Sequence, residues 1–194
     1  PVKESLHFKG RLLDIGCGVG FFLKVASDDG WEAWGIEPSR FASRHAREAY
    51  GLNVATGRLT GGLFPEVYFD VITMWDVIAH IPDPSSYLRE IHRLLKRDGL
   101  LVIKTPHWAP RSFAVASVLG RFLSGRGLLH VDYQLYYFNP AGLRELLAAN
   151  GYTVASMRFV SEARKKSSFQ PGFRNITYEA ARLAIRLSSG GESL

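Results

Sequence analysis

The chain has 194 residues, 46% of them hydrophobic and 22% charged, a composition typical of one globular domain with a sizeable core. Its net charge is +6, and its single cysteine excludes an internal disulfide, which favours the reducing environment of the cytoplasm. No signal peptide and no apolar run of about 18 residues is visible, so secretion and membrane spanning are disfavoured. We therefore expect residues 1–194 to form a single cytoplasmic domain.

The first predicted strand, at residues 11–15, leads directly into a turn rich in glycine. The segment reads RLLDIGCGVG, with Asp14 in the strand and a helix-like stretch, FFLKVASDDG, after the turn. The glycines of the turn are Gly16, Gly18 and Gly20. Strand, glycine turn and helix N-terminus form the place where an α/β sheet holds a nucleotide-like ligand, since glycine lets a ligand lie against the backbone. The next predicted strand, at 32–37, ends in Glu37, which is placed to accept hydrogen bonds from both hydroxyls of a ribose.

The spacing of the glycine turn separates two classes of ligand. A dinucleotide site requires glycine at the sixth position of the motif, where this chain has Phe21. Asp14 precedes the first glycine by two residues and would repel a phosphate, whereas it suits a ligand with an ammonium group. S-adenosylmethionine carries an ammonium group, a ribose and an adenine, and it has no phosphate. The turn therefore favours this ligand over a dinucleotide.

The remaining elements alternate along the chain. A helix is predicted from Ser39 to Gly51, and another over 84–97, with Asp83 as its N-cap. Further strands are predicted at 53–56, 69–75, 99–105 and 152–160. This alternation predicts an α/β fold, namely a doubly wound, mostly parallel sheet with helices on both faces.

The first motif, D-x-G-x-G-x-G, resembles that of the class I S-adenosylmethionine-dependent methyltransferases. The resemblance continues over residues 69–107, which are similar to the fourth strand, helix and fifth strand of that family. Residues 135–154 are similar to the next helix and strand of its small-molecule and quinone-type branch. The resemblance implies a Rossmann-like methyltransferase fold, S-adenosyl-L-methionine as cofactor and S-adenosyl-L-homocysteine as product.

The resemblance also implies which residues bind the cofactor. The glycine turn with Asp14 would line the methionine half, Glu37 would bind the ribose, and Leu59 would contact the adenine. Met74 and Trp75, at the end of the fourth strand, would lie beneath the cofactor near its methyl group. The complete predicted set is Asp14, Gly16, Cys17, Gly18, Gly20, Phe21, Glu37, Leu59, Met74 and Trp75. Within it, Cys17 is interpreted as a small packed residue rather than a nucleophile.

Two histidines are the candidates for catalysis. The stretch DVIAH, at 76–80, resembles an E-x-x-E-H motif of quinone-type and RNA-terminal relatives in which acids and histidine bind a metal. Ala79 replaces the second acid here, so we predict no metal. His80 remains a candidate general base, with orientation of the loop as its alternative role. His130 is the second candidate, with contact to the substrate as its alternative role.

Two segments depart from the regular alternation. Residues 106–138 form an aromatic insert after the fifth strand, where it would cover the substrate, or where its rings would only pack it onto the sheet. Residues 161–194 form a basic tail, which would face solvent or attract nucleic acid or an anionic surface. Within it, residues 175–189 have apolar side chains at helical spacing, and we find no seventh strand.

These features favour a methyltransferase that acts on a hydroxyl group of a small ring-containing, sugar-like or lipid-linked acceptor. The charge and the DVIAH motif leave an RNA-modifying methyltransferase as the alternative. A non-catalytic, methyltransferase-like binding module is the third interpretation. The chain opens at Pro1, close to the first strand, so we expect a fragment from which an N-terminal lid is missing.

Overall fold

The computed structural model describes residues 9–106 and 134–159, together with the backbone of residues 184–187. The strands form one seven-stranded sheet in the order β3-β2-β1-β4-β5-β7-β6. The strands are β1 (Arg11–Ile15), β2 (Glu32–Glu37), β3 (Asn53–Thr56), β4 (Phe69–Trp75), β5 (Leu95–Lys104), β6 (Tyr152–Ser156) and β7 (Ala184–Leu187). The pairs from β3 through β5 are parallel, which confirms the predicted α/β sheet.

Side-chain caps define where three of the helices begin. The helices are α1 (Phe21–Asp28), α2 (Arg40–Tyr50), α3 (Pro84–Leu94) and α4 (Pro140–Ala149), with a short 3₁₀ turn at Ile78–His80. The caps of α2, α3 and α4 are Ser39, Asp83 and Asn139, each of which accepts a backbone N–H of the first turn. The cap of α1 is Gly20, which has no side chain to offer. No helix in the described part of the chain is both long and apolar enough to cross a membrane.

Two hydrophobic cores lie on opposite faces of the sheet, because successive strand residues point to opposite sides. On β1, Leu12 belongs to the core that contains residues of α1 and α2. Its neighbour Leu13 belongs to the larger core that contains residues of α3 and α4. The helices therefore cover both faces, as the sequence predicted.

The seventh strand corrects the sequence prediction. Residues 184–187 lie inside the segment 175–189, whose spacing indicated a helix, yet they form β7. This strand pairs antiparallel with both β5 and β6, so it fills the position between them. A short apolar run fits either a helix or a strand, and the hydrogen-bonding positions beside β5 and β6 decide in favour of the strand.

Three further element ends differ from the prediction. The third helix ends at Leu94 rather than at 97, because Leu95 is extended and pairs with Phe69 on β4. The fifth strand therefore begins at Leu95 rather than at 99, with a shift of register after this first pair. The sixth strand ends at Ser156 rather than at 160.

Candidate cofactor and acceptor site

The glycine turn lies at the carboxyl ends of β1 and β2, and the backbone fixes it there. The amides of Gly16 and Cys17 donate to the carbonyl of Ile36, at 2.7 and 3.2 Å. All three glycines have positive φ, 74° at Gly16, 56° at Gly18 and 90° at Gly20, a region that side chains disfavour. The turn therefore requires glycine for its conformation at each of these positions.

The surroundings of the three glycines differ, and they indicate which glycines are needed for packing and which one leaves space for a ligand. A Cβ at Gly20 would lie 2.9 Å from Cβ of Ala46, so this glycine lets α1 approach α2. A Cβ at Gly16 would lie 2.5 Å from Cγ2 of Val77. A Cβ at Gly18 would meet no atom within 4 Å, so open space lies over this residue. Gly18 is thus the glycine whose surroundings best fit a ligand against the backbone.

Phe21 begins α1 and lies toward solvent. Its side chain is 59% exposed, and its ring centroid lies 6.1 Å from that of Tyr50 on α2. Gly20, one position before Phe21, provides the close approach between α1 and α2. Phe21 can therefore be large without a clash, and its contact with the cofactor stays a prediction.

Glu37 connects the glycine turn to α2. One carboxylate oxygen accepts from the amide of Gly18 at 2.9 Å, and the other accepts from the amide of Ser39 at 2.8 Å. Each oxygen keeps a further lone pair for another donor. Because the two backbone bonds fix the carboxylate beside the open space over Gly18, the geometry fits a pair of ribose hydroxyls.

Asp14 lies beneath the turn and is only 1% exposed. Burial raises the pKa of its carboxyl to about 7; the hydrogen bond from the Thr73 hydroxyl opposes this shift, and the charge of Glu37 adds to it. The Thr73 hydroxyl donates to Oδ1 at 2.6 Å. A buried carboxyl of this kind gains a partner when an ammonium group binds above it, which fits the amino group of S-adenosylmethionine.

Three of the predicted cofactor residues are core residues in this structure. Leu59 and Met74 are buried in the larger core, and Cys17 is buried in the smaller one. Burial raises the pKa of the Cys17 thiol to about 12, which excludes a nucleophilic thiolate near neutral pH. The interpretation of Cys17 as a packed residue is therefore sound, while the cofactor contacts of all three residues stay predictions.

Trp75 ends β4 and packs against α1. Its ring centroid lies 4.9 Å from that of Phe22 in an edge-on contact. Its indole N–H is buried and has no hydrogen-bond partner. A buried donor without a partner is costly in a protein interior, so this group offers a hydrogen bond to a bound molecule.

The residues after β4 and β5 form an ion pair that the sequence prediction missed. The amide of Asp76 donates to the carbonyl of Lys104 at 2.8 Å, and Nζ of Lys104 donates to Oδ2 of Asp76 at 2.7 Å. Asp76 has a φ of 59°, a strained conformation for a residue with a side chain. Its other oxygen, Oδ1, is buried without a partner. The available signal was position, since both residues stand at the carboxyl end of a parallel strand.

Other polar atoms near these strand ends are also buried without a partner. They are the hydroxyl of Thr105, directly after β5, and the side-chain oxygen of Gln134. Asp76 and Thr105 follow directly after β4 and β5, at the edge where substrates bind in α/β sheets, so their side-chain oxygens are available there as acceptors. This arrangement fits an acceptor molecule with its own hydroxyl groups.

His80 is exposed at the end of the 3₁₀ turn that follows Asp76. The preceding residue, Ala79, accepts at its carbonyl from the amides of Leu135 and Tyr136, at 2.8 and 3.2 Å. The Tyr136 hydroxyl donates to the carbonyl of Pro82 at 2.7 Å. The last residues of the predicted insert are therefore held against the loop that carries His80. His130 lies outside the described residues, as does most of the insert.

No group of three or more metal-ligating side chains occurs within residues 9–106 and 134–159. Asp76 and His80 come from the sequence motif that resembles a metal site, but Asp76 is paired with Lys104. The ammonium group of Lys104 therefore already supplies a positive charge at Oδ2 of this carboxylate. The charge of this ion pair therefore does not favour a metal at Asp76.

The parallel sheet, the glycine turn and the antiparallel strand inserted before the last position define the fold class of the S-adenosylmethionine-dependent methyltransferases. The sequence profile of the methyltransferase-domain family matches residues 4–157, so the chain belongs to that family. The predicted class and its cofactor, S-adenosylmethionine, are thereby confirmed.

Similar proteins agree with this class. Over 116 residues the chain is 37% identical to a ubiquinone biosynthesis O-methyltransferase of Ruegeria pomeroyi, a match that covers 57% of the chain and 46% of the relative. A protein of the same name from Aeromonas salmonicida is 29% identical, with 88% of the chain and 74% of the relative covered. The chain spans about half the length of the first two curated relatives, at 46% and 56%. A solved structure from Pyrococcus horikoshii has the same fold, with a TM-score of 0.65, 20% identity, and coverage of 83% of this chain and 81% of that one.

Proposed function

We propose that this domain transfers the methyl group of S-adenosylmethionine to a hydroxyl oxygen of a small-molecule acceptor. The observation that carries the proposal is Asp76, whose Oδ1 is buried without a partner while Lys104 holds Oδ2. A carboxylate oxygen is a strong acceptor for a hydroxyl hydrogen. The O-methyltransferase names of the curated relatives agree with this chemistry.

The cofactor supplies a methyl group on a sulfonium, whose displacement leaves a neutral thioether. The protein contributes chiefly alignment and exclusion of water. Glu37 would hold the ribose, Gly18 would let the ligand lie on the turn, and Asp14 would balance the ammonium charge. With these roles, the methyl group would lie toward the ends of β4 and β5, where Asp76 lies.

Asp76 would orient the acceptor by accepting, at Oδ1, the hydrogen of a hydroxyl that neighbours the reacting one. A hydroxyl must lose its proton as its oxygen forms the bond to the methyl carbon, so a base is needed. His80 stands four residues farther along the chain and is exposed, which leaves it as the predicted base. The proton would move to its ring nitrogen, from which it can reach solvent.

The side chains that follow the insert support an acceptor with a ring or an apolar tail. Leu135, Tyr136 and Tyr137 are large apolar side chains with substantial exposure. The backbone of the first two is bonded to Ala79, one residue from His80. Exposed rings next to polar groups are typical of sites that bind aromatic or lipid-like molecules.

Calorimetry with S-adenosylmethionine and S-adenosylhomocysteine tests the cofactor. Binding of neither ligand to the folded protein would contradict the proposal. The acceptor is tested with a panel of catechols, by measuring release of S-adenosylhomocysteine. We expect Asp76→Asn to lower kcat/KM by at least about tenfold, since a charge-assisted hydrogen bond is lost, with the cofactor Kd unchanged.

Asp98→Asn is the matched control for Asp76→Asn, because Asp98 is exposed on β5. Both variants lose one negative charge, so a general charge effect would appear in both. Equal kcat/KM in Asp76→Asn and wild type, on an accepted substrate, would show that Asp76 does not bind the acceptor.

The cytoplasmic location stays a prediction from the sequence.

A further inference from the structure

A cleft of about 560 Å³ lies on the outer side of α2, next to the end of β3. Its lining residues are Arg40, Phe41, Arg44, Arg47 and Thr56. None of the residues assigned to the cofactor or the acceptor lines it. The volume falls within the range of small-molecule sites, about 300–1,000 Å³. The cleft is therefore a second concave surface, separate from the methyl-transfer site.

The three arginines share one side of α2, since they are spaced by four and three residues. Arg47 is fixed in place, because its Nη1 donates to the carbonyl of Val54 at 2.8 Å and to the hydroxyl of Thr56 at 3.0 Å. The Thr56 hydroxyl is in turn bonded to that of Ser43 at 2.8 Å. One guanidinium of the cleft is thus preorganised by the edge strand and the helix together.

Arg40 and Arg44 are both exposed. Neither has an ion-pair partner within the described part of the chain. Glu48 is exposed one turn beyond Arg44 and forms no ion pair with it. By contrast, Arg93 on α3 binds both Glu66 and Glu90. The cleft therefore carries positive charge that neighbouring carboxylates do not neutralise.

An exposed aromatic ring borders this charge. Phe41 is 70% exposed, and its ring stacks on His45 with centroids 6.4 Å apart. His45 contacts Tyr50, which contacts Phe21, so the rings form a continuous row across α2 and α1. A ligand in the cleft can thus place its charge among the arginines and an apolar group against Phe41.

We propose that this cleft binds a phosphate-bearing organic ligand, with its phosphate between Arg40, Arg44 and Arg47 and its organic group on Phe41. Guanidinium groups bind phosphate through paired N–H donors, and one phosphate has enough oxygens for more than one arginine. The ligand is distinct from S-adenosylmethionine, which has no phosphate.

Titration with inorganic pyrophosphate at fixed ionic strength tests the charged half of the cleft. We expect Arg40→Gln/Arg44→Gln to weaken binding by at least about tenfold relative to wild type, because charge-assisted hydrogen bonds are lost. Arg89→Gln/Arg97→Gln is the matched control, since it removes the same charge from exposed positions on α3 and β5. Arg47 is left unchanged because it also holds β3. Absence of pyrophosphate binding, or an equal loss in both double variants, would overturn the proposal.

Comparison of phenyl phosphate with inorganic phosphate tests the aromatic half. We expect phenyl phosphate to bind more tightly to the wild type, and this advantage to disappear in Phe41→Ser while phosphate binding persists. The advantage persisting in Phe41→Ser would show that Phe41 does not contact the ligand. The melting temperature and the Kd for S-adenosylmethionine are measured for every variant, so loss of folding or of the methyl-transfer site is recognised separately.

Vesicles distinguish a lipid headgroup from a free phosphorylated molecule as the source of the phosphate. Arginine-dependent sedimentation with vesicles of phosphatidylcholine and phosphatidylglycerol, but not of phosphatidylcholine alone, would identify a lipid. Pyrophosphate binding without vesicle binding would identify a free molecule. Arginine-dependent binding of oligouridylate without pyrophosphate binding would overturn the proposal in favour of RNA.

Discussion

Glu37 combines a structural and a ligand-binding role at the level of a single side chain. Its two oxygens already accept from Gly18 and Ser39, so Glu37→Ala removes acceptors from two backbone amides as well as from the ribose. We expect the Kd for S-adenosylmethionine to rise at least about tenfold and the melting temperature to fall. Glu32→Ala is the control, because Glu32 begins the same strand and is exposed. An unchanged Kd would mean that the ribose lies elsewhere.

Asp14 makes stability depend on pH in a direction opposite to that of most carboxylates. Its folded-state pKa is about 7, above the ordinary 3.8, so between these values the folded chain retains a proton that the unfolded chain has lost. The contribution of Asp14 to the free energy of unfolding is therefore complete below about pH 4. It is lost as the pH rises to about 7, at about 1.4 kcal/mol per pH unit.

Denaturant unfolding of the wild type and of Asp14→Asn across this range tests the shift, since asparagine resembles the neutral acid. We expect the free energy of unfolding of the wild type, minus that of the variant, to fall with rising pH and to level off above about pH 7. A difference that is constant over the range would contradict a raised pKa at Asp14.

At the level of an element, two glycines of the same turn have different roles: Gly20 allows close packing of helices, and Gly18 leaves space for a ligand. Gly20→Ala places Cβ 2.9 Å from Cβ of Ala46, at a φ of 90°, so we expect a loss of about 1–3 kcal/mol of stability. Gly18→Ala meets no atom and has a φ of 56°, so its loss of stability should be smaller. Its new methyl group occupies the space over the turn, and we expect weaker binding of S-adenosylmethionine.

Chemical denaturation and calorimetry measure both effects on the same pair of variants. Retained affinity in Gly18→Ala would exclude this glycine from the cofactor site.

The predictions for element ends were accurate where a cap fixes them, as at Ser39, whose hydroxyl accepts from Ala42 at 3.2 Å. They were wrong at the end of α3, because pairing of Leu95 with Phe69 overrides the helical pattern.

For the whole molecule, β7 completes the sheet by filling the gap between β5 and β6. Ile185 is opposite Leu101 on one side and Val154 on the other. Ile185→Pro removes a backbone donor from an interior strand, which should cost about 3 kcal/mol or more. Ile185→Val keeps the amide and a branched side chain and serves as control. Thermal unfolding with gel filtration checks the result, and equal melting temperatures for the two variants would contradict the position of β7.

The sequence by itself determined the alternation of strands and helices, the glycine turn with Glu37 and the class of cofactor. These features depend on local patterns, since a run of glycines or a capped amphipathic helix can be recognised over about ten residues. Only the tertiary structure decided that residues 184–187 form a strand, that Asp76 pairs with Lys104 and that an arginine cleft lies on α2. The first two bring together residues that are distant in the chain, and the cleft forms only where β3 lies beside α2; such contacts are set by sheet order and packing rather than by neighbouring residues.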